Sequence, residues 1–279
     1  MGLNVFVLTG AGVSAESGLG TFRDEGGVWT QYDLAEVATP EGFARDPAKV
    51  RAFYNARREN LAGAAPNPAH VALARLQREL AARGGGLFLC TQNVDDLHEK
   101  AGSTEVVHIH GELAVTRCHA CEATRSDTGP LDGEAICEAC GAAGMARPHV
   151  VWFGEMTLFL DEITDALHAA DLFVAIGTSG SVYPAAGFVS EARALGVRTC
   201  ELNLEPSDNA WAFDESFYGP AGEVVPAWVE RVLGEGLRSP PTAPSPPPGP
   251  GPAARPGSWR RPWRWGSGSS RRAPWWSRR

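Results

Sequence analysis

Four cysteines set the first chemical constraint. Cys118-x-x-Cys121 and Cys137-x-x-Cys140 are separated by 15 residues, a spacing that suits one tetrahedral zinc ion. Four thiolates fill such a site and leave no position open for water or substrate, so the metal is expected to be structural. His119 lies inside the first pair but is not needed as a ligand. Cys90 and Cys200 fall in apolar runs and read as core residues. The N-terminal residues show no basic stretch leading into a long apolar one. A reducing, cytoplasmic setting is therefore expected, in which paired cysteines favour metal over disulfides.

A second constraint is Gly10-Ala11-Gly12-Val13-Ser14-Ala15, directly after the apolar run Asn4 to Leu8. It fits the Gly-x-Gly-x-x-Ala variant of the dinucleotide fingerprint, and a helix starting here would aim its first N–H groups at phosphates. A tight structural turn is the competing explanation. A hydride-transferring dehydrogenase would place a strand ending in Asp or Glu about 20 residues further on, to bind a ribose. The chain instead continues into Gly18-Leu19-Gly20-Thr21-Phe22-Arg23-Asp24-Glu25-Gly26-Gly27, with no such strand. If a dinucleotide binds, something other than hydride transfer is done with it.

Two further sets of residues can do chemistry. His110, next to Gly111 and two residues after His108, lies at the end of a strand-like run. A neutral imidazole there can take a proton at working pH. Tyr54 and Arg57, spaced i and i+3, share a helix face and can offer a phenol O–H and a guanidinium fork to one carboxylate. The adjacent Arg58 suggests instead a solvated helix face.

Positioning these groups needs a scaffold. Short apolar runs predict strands at 4–8, 87–90, 106–109, 172–176 and 198–202, with helical patterns at 69–83, 160–170 and 184–195 between them. Strands alternating with helices imply an α/β fold: a Rossmann-like, mostly parallel sheet with helices on both faces. A helical insert at 28–68 and a zinc module at 113–148 interrupt the alternation, giving one large nucleotide-binding domain over 1–236 that carries both modules. The last 42 residues, with nine arginines, eleven prolines, five tryptophans and no acids, predict a tail without regular structure over 237–279. Nucleic-acid contact by this basic tail is a minor alternative. The first 237 residues carry 16 basic and 33 acidic side chains, a formal −17, which suits a cationic, lysine-bearing protein partner or serves solubility alone. No apolar run approaches the roughly 20 residues of a membrane-spanning helix.

Taken in order, Gly10 to Gly18 with Thr21-Phe22-Arg23, Gln92-Asn93-Val94-Asp95, His110-Gly111, the two cysteine pairs, Gly177-Thr178-Ser179 and Asn203-Leu204-Glu205 closely resemble the sirtuins over about residues 4–233. Within that family the chain looks most like bacterial members that remove acidic acyl groups as well as acetyl. The resemblance implies NAD as a consumed co-substrate, acylated lysines on proteins or peptides as substrates, and nicotinamide with O-acyl-ADP-ribose as products. It places Gly10, Ala11, Gly12, Ala15 and Glu16 at the phosphates, and Thr21, Phe22, Arg23 and Trp29 on a segment closing over NAD. Gln92, Asn93, Val94 and Asp95 would orient ribose and nicotinamide. Gly177, Thr178, Ser179, Asn203, Leu204, Glu205 and Ala221 would complete the cofactor site. Asn93 and Asp95 can also serve as loop and helix caps. His110 becomes the general base for a ribose hydroxyl. Tyr54 and Arg57 become the mark of desuccinylase-type members, so succinyl- and malonyl-lysine join acetyl-lysine as expected substrates. Val151, Trp152 and Phe153 would wall an acyl-lysine tunnel, and Gly154 and Glu155 would pair with the peptide backbone. Mono-ADP-ribosyl transfer from the same NAD site, or a non-enzymatic zinc and nucleotide-binding module, are the alternatives.

Overall fold

The computed structural model describes residues 2–20 and 33–235. Thr21, Phe22, Arg23, Trp29 and the 237–279 tail lie outside the described residues.

The chain opens with strand β1 (Asn4–Thr9). Three helices follow, α1 (Leu34–Val37), α2 (Pro40–Arg45) and α3 (Pro47–Ala62), then α4 (Pro68–Ala82). Their starts are encoded locally. Thr39, Asp46 and Asn67 each accept a hydrogen bond from the first turn, and a proline whose fixed φ suits a helix start follows each. Strand β2 (Gly86–Thr91), the short α5 (Leu97–Lys100) and β3 (Val106–His108) come next. The chain then leaves to build β4 (Gly111–Cys118), β5 (Thr124–Ser126) and β6 (Ala146–Val150). It returns through α6 (Leu160–Ala169), β7 (Leu172–Ile176), α7 (Phe188–Ala194), β8 (Arg198–Asn203), β9 (Glu215–Tyr218) and α8 (Ala221–Glu235).

Six strands form one parallel sheet in the order β3-β2-β1-β7-β8-β9. The order runs outward from β1 in one direction, then restarts at β7 on its other side. This is the doubly wound pattern, and its crevice lies where the direction reverses, outside the C-terminal ends of β1 and β7. The alternation along β1 explains why the whole run is apolar. Val5 and Val7 pack under α4 and α8, whereas Phe6 and Leu8 pack under α6 and α7. Cys90 and Cys200 are buried in these two cores, as expected of structural thiols.

A third apolar cluster joins the remaining parts. Val37, Phe43, Val50, Phe53, Tyr54 and Leu61 from α1–α3 and the residues around them pack with Leu113, Leu131, Val150 and Trp152. The helical insert and the cysteine module therefore share one core. The second sheet, in the order β5-β4-β6, is antiparallel.

The glycine loop departs from the expectation of a helix. After β1 the backbone makes two 3-10 turns, Ala11–Val13 and Ala15–Ser17, and ends with Gly18 at φ +81°. A regular helix does not begin here, so the N–H groups at the end of β1 are organised by turns.

Candidate active site

The loops after β1 and β7 meet backbone to backbone. Gly10 N donates to Ile176 O and Gly12 N to Gly177 O, both at 2.9 Å. A Cβ on Gly12 would sit 2.8 Å from Gly177 Cα, and one on Gly177 would sit 2.5 Å from Val13 N. Gly177 also has φ +61°. Both positions thus require glycine for the approach of two strand ends, before any ligand is considered. Ala11 and Ala15 lead the two short turns. The Glu16 carboxylate accepts from Gly222 N at 3.1 and 3.3 Å, which sets a negative charge on the first turn of α8 beside Ala221. Its contact ties the glycine loop to α8.

Ser14 gathers the polar groups on the β2 side. Its hydroxyl donates to Asp95 Oδ2 at 3.1 Å, accepts from Asn93 Nδ2 at 3.0 Å, and lies 3.4 Å from His70 Nε2. Asn93 Nδ2 also donates to Gly10 O at 3.2 Å. Asp95 Oδ1 accepts from Leu97 N, so the capping role exists alongside the network. Burial pushes the Asp95 carboxyl up, against the hydrogen bonds from Leu97 N and Ser14 that stabilise its anion. Val94 O accepts from Leu113 N at 2.8 Å, fixing this loop to β4. Gln92 lines a narrow cleft with Leu8, Phe173 and Thr178. On the β7–β8 side, Asn203 Nδ2 donates to Thr178 O at 2.8 Å, and Ser179 Oγ lies 2.8 Å from Ser181 Oγ. Leu204 and Glu205 are exposed at the end of β8.

His110 follows β3, and Gly111 behind it takes φ +76° where a Cβ would meet His149 O at 2.0 Å. His110 Nδ1 lies 3.1 Å from Gln92 O. A carbonyl only accepts, so Nδ1 carries the proton and Nε2 keeps its lone pair. Burial lowers the pKa of this ring, and the Gln92 carbonyl partly opposes the shift. The result is a neutral imidazole at neutral pH whose Nε2, among the described residues, keeps its lone pair unshared. His108 is differently employed. It bridges Asn93 O and Glu99, and the Glu99 carboxylate overcomes burial to raise its pKa.

Tyr54 and Arg57 share one side of α3. The Arg57 guanidinium lies 5.6 Å from the Tyr54 ring centroid and within the electrostatic reach of Asp95. Burial lowers its pKa, while Tyr54 and Asp95 favour its charge. Arg58 is not solvated, as its neighbourhood in the sequence had suggested. It is buried and donates to Leu113 O at 2.8 Å, Val115 O at 3.2 Å, Thr116 Oγ1 at 3.0 Å and Gly129 O.

The segment after β6 is a turn held by its own side chains. Val151 N donates to His110 O at 2.9 Å and Phe153 N to Ala38 O at 3.0 Å. Glu155 accepts from both Arg147 terminal nitrogens, at 2.7 and 2.9 Å, and from Trp152 N at 2.8 Å. Its side chain is thus engaged internally. Phe153 is exposed, Gly154 has φ +90°, and Trp152 is buried beneath the segment.

The cysteines close into one cluster. Cys118 and Cys121 flank one tight turn, Cys137 and Cys140 another, each closed by an N–H donated back to the first cysteine's carbonyl. The four Sγ atoms lie within 4.8 Å of one another, with Cys118–Cys140 at 3.8 Å and Cys121–Cys137 at 3.7 Å. Zinc–sulfur bonds of about 2.3 Å in a tetrahedron require sulfurs about 3.8 Å apart. The donor set fits one structural zinc ion. His119 is not in the cluster; its ring packs edge-on against Phe43.

Residues 10–184 match the Sir2 family model. The chain belongs to the Sir2 family. A protein of Caulobacter vibrioides named NAD-dependent protein deacylase is 75% identical over 231 residues, covering 83% of this chain and 97% of the relative. A protein of the same name from Escherichia coli K12 is 54% identical, covering 84% of each chain. Among solved structures, a Sir2 homologue in complex with NAD aligns with TM-score 0.74 and 41% identity, covering 82% of this chain and 89% of that one. Sir2Af2 bound to a myristoylated histone peptide aligns with TM-score 0.62 and 33% identity, covering 82% and 90%. Sequence reasoning did not single out Ser14, His70 or Arg147, and it read Arg58 as part of a solvated face. Ser14 stands inside the glycine motif and was legible there; His70 and Arg147 carry no local signal.

Proposed function

We propose that this chain is an NAD-dependent protein lysine deacylase acting on succinyl-, malonyl- and acetyl-lysine. NAD, when bound, supplies the ADP-ribose that accepts the acyl group as nicotinamide departs. The residues that would hold it are the turns at 10–16, the Gln92–Asp95 loop and the ends of β7 and β8. His110 takes a proton at Nε2 from a ribose hydroxyl, with Gln92 O keeping the ring in the required tautomer. Tyr54 and Arg57 bind the far carboxylate of a succinyl or malonyl group.

One observation supports the reading: Gln92 O holds His110 Nδ1 at 3.1 Å, so the base stands against the loop that would hold the cofactor. The test is nicotinamide release from matched acetyl- and succinyl-lysine peptides. Release must depend on an acylated peptide, and Arg57→Met must depress the succinyl reaction about tenfold to a hundredfold more than the acetyl reaction, as expected for a charge-assisted bond. Release independent of peptide would sink the deacylase reading. Equal losses on both peptides would remove the acidic-acyl specificity.

A further inference from the structure

The sequence assigns Tyr54 a hydroxyl donor role toward a carboxylate. Whether that hydroxyl can donate depends on what surrounds it. Tyr54 is 1% exposed, and its oxygen accepts a hydrogen bond from Trp152 Nε1 at 2.9 Å. An indole N–H can only donate, and so can the guanidinium of Arg57, which lies 5.6 Å from the Tyr54 ring centroid. Among the described residues the Tyr54 hydroxyl donates to no protein acceptor. Both neighbours see its oxygen as an acceptor, and its proton is left over.

We infer that Trp152 is a specificity-determining positioning residue: by filling the acceptor side of the Tyr54 oxygen, it turns the hydroxyl proton toward a carboxylate at the end of the acyl chain. The inference rests on the assignment of Tyr54 and Arg57 to that carboxylate. A neutral acetyl group does not reach for the proton, so the effect falls on acidic acyl groups.

The indole can play this part because it cannot turn. Trp152 is 2% exposed. The Arg147 guanidinium stacks 3.3 Å from its ring centroid, and Phe43 packs against it at 5.5 Å. Arg147, itself 1% exposed, is held by Glu155 and by Val150 O at 2.7 Å. Glu155 also accepts from the Trp152 backbone N–H. The chain of contacts runs Glu155, Arg147, Trp152, Tyr54, and each member fixes the orientation of the next.

The test compares Trp152→Phe with wild type on matched succinyl- and acetyl-lysine peptides. The ratio of kcat/KM for succinyl to acetyl should fall about threefold to tenfold, the effect of one hydrogen bond, and chiefly through the succinyl KM. Because Trp152 acts through Tyr54, the same substitution made in Tyr54→Phe should change the ratio less than twofold further. Should Trp152→Phe fold poorly, benzothienylalanine at position 152 keeps the bicyclic shape with sulfur in place of N–H, and must give the same fall. If wild type does not desuccinylate, or Arg57→Met leaves the ratio unchanged, the Tyr54–Arg57 assignment itself fails and takes this inference with it. If those controls succeed but the indole-deficient variants keep the wild-type ratio, or lose it equally in the Tyr54→Phe background, the inference alone is overturned.

Discussion

Replacing Arg58 with methionine removes a guanidinium and keeps most of the aliphatic volume. In the folded chain this group donates to three carbonyls of the cysteine module, Leu113, Val115 and Gly129, and to Thr116 Oγ1. Hydrogen bonds from a charged donor each contribute about 1.5–3 kcal/mol singly, but four that share one donor do not add. Leaving buried carbonyls without a donor costs about 1–3 kcal/mol each unless water reaches them. Thr116 Oγ1 keeps a partner in Asp127, so the loss concentrates on the carbonyls. A net loss of about 3–5 kcal/mol follows, a large share of the 5–15 kcal/mol typical of a folded domain. For a body of this size each kcal/mol shifts Tm by about 2–4 °C, so the variant should melt about 6–20 °C below wild type. Calorimetry of zinc-loaded protein, with metal content measured on the same samples, makes the comparison. Arg58→Lys retains the charge but not the fork, and should recover less than half. A fall under 3 °C with zinc retained would refute the claim that α3 is clamped to the module through this side chain.

His110→Ala should abolish deacylation while NAD binding stays measurable by calorimetry; near-normal turnover would remove it as the base. The base must be neutral, and burial lowers its pKa, so the acid limb of kcat/KM should lie below pH 6.5; a limb above that value would contradict the burial seen here. Stripping the metal from the four cysteines should lower Tm and activity together, and readdition of zinc should restore both; full activity at zero zinc would exclude a structural need. His70 and His98 are buried, the first with its pKa pulled down to about 4 and the second well below its usual range. Between pH 6.5 and 4 the unfolded chain then binds protons that the folded chain refuses. Each group therefore removes up to about 1.4 kcal/mol of stability per unit of falling pH in that window; the raised pKa of His108 opposes the loss only above pH 6.5, where the folded chain takes up that proton first. Urea midpoints at pH 7 and pH 5 measure this, and no decline would contradict it.

The central strands were legible because each is buried on both faces and reads as an unbroken apolar run. β9 was not: Glu215-Ser-Phe-Tyr is only half-buried at the sheet edge and lacks such a run. The second sheet was hidden for a related reason, since β5 is wholly exposed and β4 takes its order from cross-strand pairing and the cysteine turns rather than from its own pattern. The glycine motif marked the right place but suggested a helix where 3-10 turns stand, because the same small residues serve either geometry. Of the residues that motifs name, Gly10, Gly12 and Gly177 meet backbone to backbone, and Asn93 and Asp95 meet at Ser14. Their partners were illegible in sequence because they come from far along the chain. His70 reaches Ser14 across 56 positions and Trp152 reaches Tyr54 across 98.

Arg57 and Arg58 show why side-by-side residues of one type need a structure to tell them apart. Consecutive positions on a helix point about 100° apart, from 3.6 residues per turn. Arg57 lies with Tyr54, three residues earlier, its guanidinium 5.6 Å from the Tyr54 ring centroid. Arg58 lies with Arg51 and Asn55, seven and three residues earlier. Arg51 donates to Gly144 O and Ala146 O, and Asn55 exchanges two hydrogen bonds with the backbone of Leu131. One side of α3 therefore grips the cysteine module through its backbone, while the adjacent side carries Tyr54 and Arg57. The tetrathiolate site has no open position for chemistry, yet the carbonyls that α3 binds belong to the loops and strands it organises. Through these contacts the module that the four cysteines close is tied to the same helix that carries Tyr54 and Arg57.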